Sequence, residues 1–258
     1  MNTLETNKPT TLGDFLATTP DNLRTLADHA IKAYYPHIAY DKSYNPYVRF
    51  FRQVMLAQVE LVAQWQCVGF IHGDLALEHI SIAGETIGTH NHAFMAAYDP
   101  GAFSPHDTQQ HYAYNKQPAI MQQNLSQFAQ ALLPLFDTDQ ATTTAIAKQE
   151  LDMFMPTYSD AYMAGMRNKL GFMAPKMTDS AMVKGLLALM HAHKLDYTHT
   201  LASLAMGTGT GELFDLPQAQ DWIASWQERL DSQVSESLSK QDIYDHMTRH
   251  NPKTPSLA

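Results

Sequence analysis

Between Gly69 and Pro100 the chain sets carboxylates and imidazoles at close spacing: GFIHGDLALEHISIAGETIGTHNHAFMAAYDP. Asp74 and Glu78 stand in this stretch, and either carboxylate has the chemistry to take a proton from a hydroxyl. His79 follows at once, and His90 and His92 come further on, two apart. On a strand, residues two apart share a face, and His79 is placed to approach that face from the partner strand. Three imidazoles together suit zinc or another transition metal, whereas magnesium prefers oxygen. Each group also has a plainer reading. Asp74 then closes a turn through loop amides, Glu78 is an exposed loop carboxylate, and the histidines form a solvated tip.

Such groups need a frame, and the neighbouring sequence supplies one. Pro46 to Phe70 predicts a central, buried helix, with a first-turn proline and apolar residues over most of its surface (Val54, Leu56, Val59, Leu61, Val62, Trp65). It runs into His72-Gly73-Asp74-Leu75. A β-branched strand from Ile80 to Ile82, a turn at Gly84 and a second short strand then predict a hairpin. A helix, a carboxylate loop and a hairpin in this order match the needs of kinase-type phosphotransferases. There one carboxylate accepts the hydroxyl proton, and oxygen ligands from the loop and from beyond the hairpin hold magnesium.

The rest reads as helix. Leu12 to Ala33 has helical spacing, with Asp21 as its cap. The 98–117 segment is a long polar loop, of a length that is usually functional or mobile. From Pro118 onward, helical periodicity covers Ala119 to Leu135, Thr142 to Phe154, Tyr158 to Lys169, Ser180 to His193, Tyr197 to Leu204, Pro217 to Gln233 and Lys240 to Thr248. Asp137, Thr178 and Asp196 stand near the expected starts. Gly207 to Gly211 (GTGTG) lacks both the GxGxxG pattern and a preceding strand, so it is a flexible connection and not a phosphate loop. The expected fold class is mainly α with a small β-hairpin, the outline of a protein-kinase-like C-lobe.

Composition bounds the function. The 258 residues carry a formal net charge of −9 with a pI near 5.7, and no basic run is present, which argues against nucleic acid as a partner. There is no charged-then-apolar leader and no apolar run long enough to span a membrane, so a soluble, cytoplasmic protein is expected. Cys67, the single cysteine, sits in an apolar run and reads as buried filler. Met121, Met153, Met155, Met163, Met166 and Met190 fall on helical patterns and are assigned to packing. So are Trp65, Phe70, Tyr98, Phe103 and Tyr112, which otherwise make an adenine-stacking set.

Longer motifs identify a family. QWQCVGFIHG (Gln64 to Gly73), AYDPGAF (Ala97 to Phe103), DTQQHYAYNKQPAI (Asp107 to Ile120) and NLSQFAQALLPL (Asn124 to Leu135) resemble SelO, the kinase-fold protein adenylyltransferases also called YdiU. MRNKLGF (Met166 to Phe172), LLALM (Leu186 to Met190), DYTHT (Asp196 to Thr200) and HNPK (His250 to Lys253) continue the likeness. The resemblance implies AMP transfer from ATP to a protein Ser, Thr or Tyr hydroxyl, with magnesium or manganese. It also implies places for Asp99, Asp107 and Gln109, which match the family, near the floor of the site or in its bracing.

Two departures qualify that implication. Family members are about twice this length, and their N-terminal half forms the nucleotide-binding lobe; this chain reads as the C-lobe alone, over residues 11–250, with flexible ends at 1–10 and 251–258. The family also reads His-Gly-Val-Met-Asn-Thr-Asp-Asn, then Asp-Tyr-Gly-Pro. In that register Glu78 stands at the catalytic Asp, His79 at the metal-binding Asn and Gly88 at the second metal Asp. An imidazole is a poor magnesium ligand and glycine is none, so the metal site is expected to be degenerate. Asp74 stands where ordinary kinase loops carry their aspartate, a second candidate base. The expected protein is a truncated pseudoenzyme acting by binding, with a protein partner or a second copy on the face left bare by the missing lobe. The alternative is an active ATP-dependent nucleotidyl- or phosphotransferase, completed in trans by a separate N-lobe.

Overall fold

The computed structural model describes residues 10–40, 44–137 and 139–252. Residues 1–9 and 253–258, most of the two expected flexible ends, lie outside the described residues. Thr10 and Asn251 correct that expectation at its margins. The Thr10 carbonyl accepts from Ile82 N at 3.0 Å. Asn251 is buried and donates to the Lys169 and Met247 carbonyls.

The first helix, α1 (Leu12–Ala17), opens with a capping box in which Thr11 and Asp14 satisfy each other's backbone amides. The continuous helix expected from Leu12 to Ala33 is broken, and α2 (Pro20–Tyr34) starts afresh. Thr18 and Thr19 are extended between the two helices, because the ring of Pro20 disfavours helical backbone in the residue before it. Asp21 accordingly sits in the first turn of α2 and does not cap it.

The long helix α3 (Pro46–Val68) is buried on two sides, as its all-round apolar pattern requires. Asn45 caps it through Tyr47 N and Val48 N, and its amide also donates to the Leu135 and Phe136 carbonyls. One face of α3 packs into an aromatic core in which Phe15, Phe50 and Phe51 each meet the ring of Phe128. The other end, with the strand residue Ile71 after it, delivers Cys67 to a second core around Leu186, Tyr197 and Trp226. Cys67 is buried as expected, and burial pushes its thiol up to about 12.

The remaining helices are α4 (Gln117–Phe136), α5 (Gln140–Asp152), α6 (Phe154–Leu170), α7 (Asp179–His193), α8 (Tyr197–Met206), α9 (Glu212–Asp215), α10 (Gln220–Asp231) and α11 (Lys240–His250). Asp139, not Asp137, caps α5, whereas Asp196 caps α8 as expected. Met153 and Met155 are exposed, contrary to the packing assigned them; Phe154 between them takes the buried slot at the α5–α6 junction. Among the described residues no helix is long and apolar enough to cross a membrane.

The described residues are thus mainly helical, with one two-stranded antiparallel sheet among them. Strand β1 (Phe70–Ile71) pairs with β2 (Ala93–Phe94), Phe70 opposite Phe94 and Ile71 opposite Ala93. The strand expected from Ile80 to Ile82 is reduced to isolated bridges, Ile80 with Thr86 and Ser81 with Thr11. The ladder sits at the outer ends of the hairpin, and the reactive residues lie on turns between them.

Candidate active site

Gln117, the first residue of α4, holds the start of the loop. Its amide donates to the Phe70 carbonyl at 2.9 Å, and its Oε1 accepts from His72 N at 2.9 Å. The His72 ring is fully buried beside Trp65 and Phe70. Its Nε2 lies 2.7 Å from the Ile87 carbonyl, which can only accept, so Nε2 carries the proton. Burial lowers its pKa and keeps the ring neutral. His72 therefore ties the outgoing loop to the returning arm.

Gly73 follows with φ +78, and a Cβ there would lie 2.1 Å from the Asn91 carbonyl oxygen. The turn Thr89–Asn91 thus rests directly on Gly73, which brings His90 over Asp74. From the other side, Asn124 of α4 donates to the Leu75 carbonyl at 2.8 Å.

The two oxygens of Asp74 do different things. Oδ1 faces Ala76 N at 3.4 Å, a long contact of the turn-closing kind. Oδ2 lies 3.2 Å from Nδ1 of His79, at the end of the short turn Leu77–His79. The His79 and His90 rings meet edge to face, 5.4 Å apart at 87°. One ligand atom each from Asp74, His79 and His90 lie within 4.8 Å of one another.

His92 is not part of this group, which corrects the expected His79–His90–His92 set. Its ring stacks on Phe70 at 5.6 Å, and its Nδ1 faces the Thr89 carbonyl. The cause is local: Thr89–Asn91 is a 3-10 turn and not a strand, so residues two apart face different ways.

Gly88 has φ +67, and a Cβ built on it would lie 2.8 Å from Cγ of His79 and 2.9 Å from its Cβ and Cδ2. The imidazole of His79 therefore fills the space that a side chain at 88 would enter.

Glu78 is exposed and stands outside the cluster. It lines a groove of roughly 490 Å³ with Leu75, His111, Tyr112 and Lys116. Burial, then the charges of Asp74, Asp107 and Glu78, raise the Tyr112 phenol, which places this ring among the site's carboxylates. The sequence reading assigned Tyr112 to packing, with adenine stacking as the alternative; the polar run around it was the available signal for a place in the site. Asp107 accepts from Tyr112 N at 2.7 Å and Asp99 from Gly101 N at 2.8 Å, so both brace turns. Gln109 is exposed.

The family profile described as protein adenylyltransferase SelO matches residues 14–258. A protein nucleotidyltransferase YdiU of Geobacillus kaustophilus is 40% identical over 236 residues, covering 91% of this chain and 48% of its own. The YdiU of Anoxybacillus flavithermus is 39% identical over 241 residues, 93% of this chain and 48% of its own. That of Bacillus cereus strain AH187 is 38% identical over 234 residues, 90% and 47%. The chain spans about half the length of the curated relatives it matches.

Proposed function

Since this chain belongs to the SelO family of protein adenylyltransferases, we propose that it is a kinase-like lobe of that family which does not itself carry out magnesium-dependent AMP transfer and acts by binding a protein partner. The observation that carries this reading is the ring of His79 lying against Gly88.

Magnesium or manganese, which the family implies, needs hard oxygen ligands in near-octahedral order. Here position 88 has no side chain, and even a Cβ added there would meet Cβ of His79 at 2.9 Å, so no ligand enters without a backbone shift. Position 79 offers nitrogen where oxygen is wanted, and Asp74 already faces it. The residues present do not fit the family's metal. Phosphoryl and nucleotidyl transfer depend chiefly on positioning and on neutralising charge, so such a site has lost the main source of its rate.

A second reading rests on Glu78. Exposed on a groove with Lys116 and Tyr112 beside it, this carboxylate is free to receive a hydroxyl proton. On that reading the chain takes part in ATP-dependent nucleotidyl or phosphoryl transfer, with Glu78 as its base.

Calorimetry with ATP, with and without magnesium or manganese, separates the two. The proposal expects no metal-dependent binding in millimolar ATP. Micromolar, metal-dependent binding would overturn it, and Glu78→Ala and Asp74→Ala would then identify the working carboxylate.

A further inference from the structure

We propose that Asp74, His79 and His90 form a binding site for a divalent transition-metal ion of the zinc class. The inference shares the placement of His79 with the reading above, but it stands whether or not AMP transfer is lost.

The donors come from three turns fixed by their own backbones. The 89–91 turn rests on Gly73 through the Asn91 carbonyl, Asn124 holds Leu75, and His79 N bonds back to the Ala76 carbonyl at 2.9 Å. The side chains converge from different directions, which is how a metal site gains its ligands without strain in one segment.

The His79–Asp74 contact has the form of two ligands and not of a hydrogen bond. Nδ1 of His79 is buried and lies 3.2 Å from Asp74 Oδ2, yet it makes no hydrogen bond there. Two groups turned toward a common third point adopt this geometry. The unpartnered Nδ1 is otherwise a polar atom buried at a cost of about 1–3 kcal/mol.

Donor chemistry chooses the ion. Two imidazoles and one carboxylate suit zinc and its neighbours, whereas magnesium and calcium prefer all-oxygen shells. Bonds of about 2.0–2.2 Å set ligands around zinc roughly 3.3 Å apart. The present spread of up to 4.8 Å closes by rotating His90, whose exposed side chain is free to turn. Three protein ligands leave one position for water or a ligand from a partner, as in zinc sites that are not closed.

The test uses the untagged full chain, stripped with chelator and then titrated with zinc and with cobalt(II). Calorimetry should give a single zinc equivalent, and bound cobalt should show the intense ligand-field absorption of low-coordinate geometry. His79→Ala, His90→Ala and Asp74→Asn should each weaken binding by on the order of 100-fold or more, since loss of even an outer-sphere partner costs 10–100-fold. His92→Ala should leave affinity unchanged. His90 is exposed, so its variant keeps the test decisive if the others fail to fold. Absence of zinc binding, unaltered affinity in His90→Ala, or equal loss in His92→Ala would overturn the proposal. Magnesium-dependent ATP binding in a chain that also takes up zinc would sink the functional reading alone; neither binding would sink the metal site alone.

Discussion

Adding a methyl group at position 88 tests the central geometric claim. In Gly88→Ala the new Cβ meets three atoms of His79 at 2.8–2.9 Å, well inside ordinary van der Waals contact. Cγ and Cβ of His79 stay in place when χ2 rotates, so that rotation relieves only the contact with Cδ2. An L-residue at φ +67 adds about 1–2 kcal/mol, and the overpacking adds about 1–3 kcal/mol. The expected loss is about 3 kcal/mol, which for a chain of this size lowers Tm by roughly 6–12 °C. The backbone term does not depend on His79, but most of the steric term does. His79→Ala removes two of the three contacting atoms. A double-mutant cycle of Gly88→Ala with His79→Ala should therefore return a coupling of about 1–2 kcal/mol, with the double variant more stable than the sum of the singles predicts. Thermal and urea unfolding in excess chelator would measure it free of any bound metal. Additivity within about 0.5 kcal/mol would show that the His79 ring does not occupy the space beside Gly88, and the argument against the family's metal would fall with it.

Two further outcomes concern the scaffold. Asp179 is fully buried and accepts from Arg229 Nε at 3.0 Å, Arg167 Nε at 3.2 Å and Lys176 N at 2.8 Å. Asp179→Ala strands the buried Arg229 and should cost about 3–5 kcal/mol in urea unfolding; a loss below about 1 kcal/mol would mean that solvent reaches the pair. His72 has its pKa lowered by burial, so the unfolded chain takes up its proton first as pH falls through the ordinary imidazole value of 6.5. Stability should be full above that value and drop below it, and His72→Gln should flatten this part of the profile. An equally steep drop in the variant would assign it to other groups.

The sequence made the architecture legible where one physical cause dominated. The all-round apolar pattern of α3 required a helix buried on two sides, and Cys67 in that run is buried and inert. Asp196 capped its helix because a carboxylate before the first turn has few better partners. Failures came where neighbours decide. Pro20 acts backwards on Thr19 and split one expected helix into two. Ile80 to Ile82 have strand propensity, but with α1 lying alongside, Ser81 pairs with Thr11. The His79–His90–His92 set assumed a two-residue period that the 3-10 turn at Thr89 does not keep. Asp74 was visible as a carboxylate and as a turn residue, but not as the partner of His79, because that pairing depends on how the 77–79 turn folds back.

That folding-back changes how the altered positions are counted. In the register that the family resemblance implies, His79 and Gly88 would count as two separate losses of a magnesium ligand. In space they are one rearrangement. An imidazole at 79 needs the room that only glycine at 88 leaves. The ring then turns Nδ1 toward Asp74, a carboxylate the family pattern lacks at that place, and His90 closes over both from the turn seated on Gly73. A site that decayed by independent substitutions has no reason to leave its replacements in contact. On the proposal above, four residues that fit one another, with donors of one chemical preference, belong to a site re-formed around a different ligand.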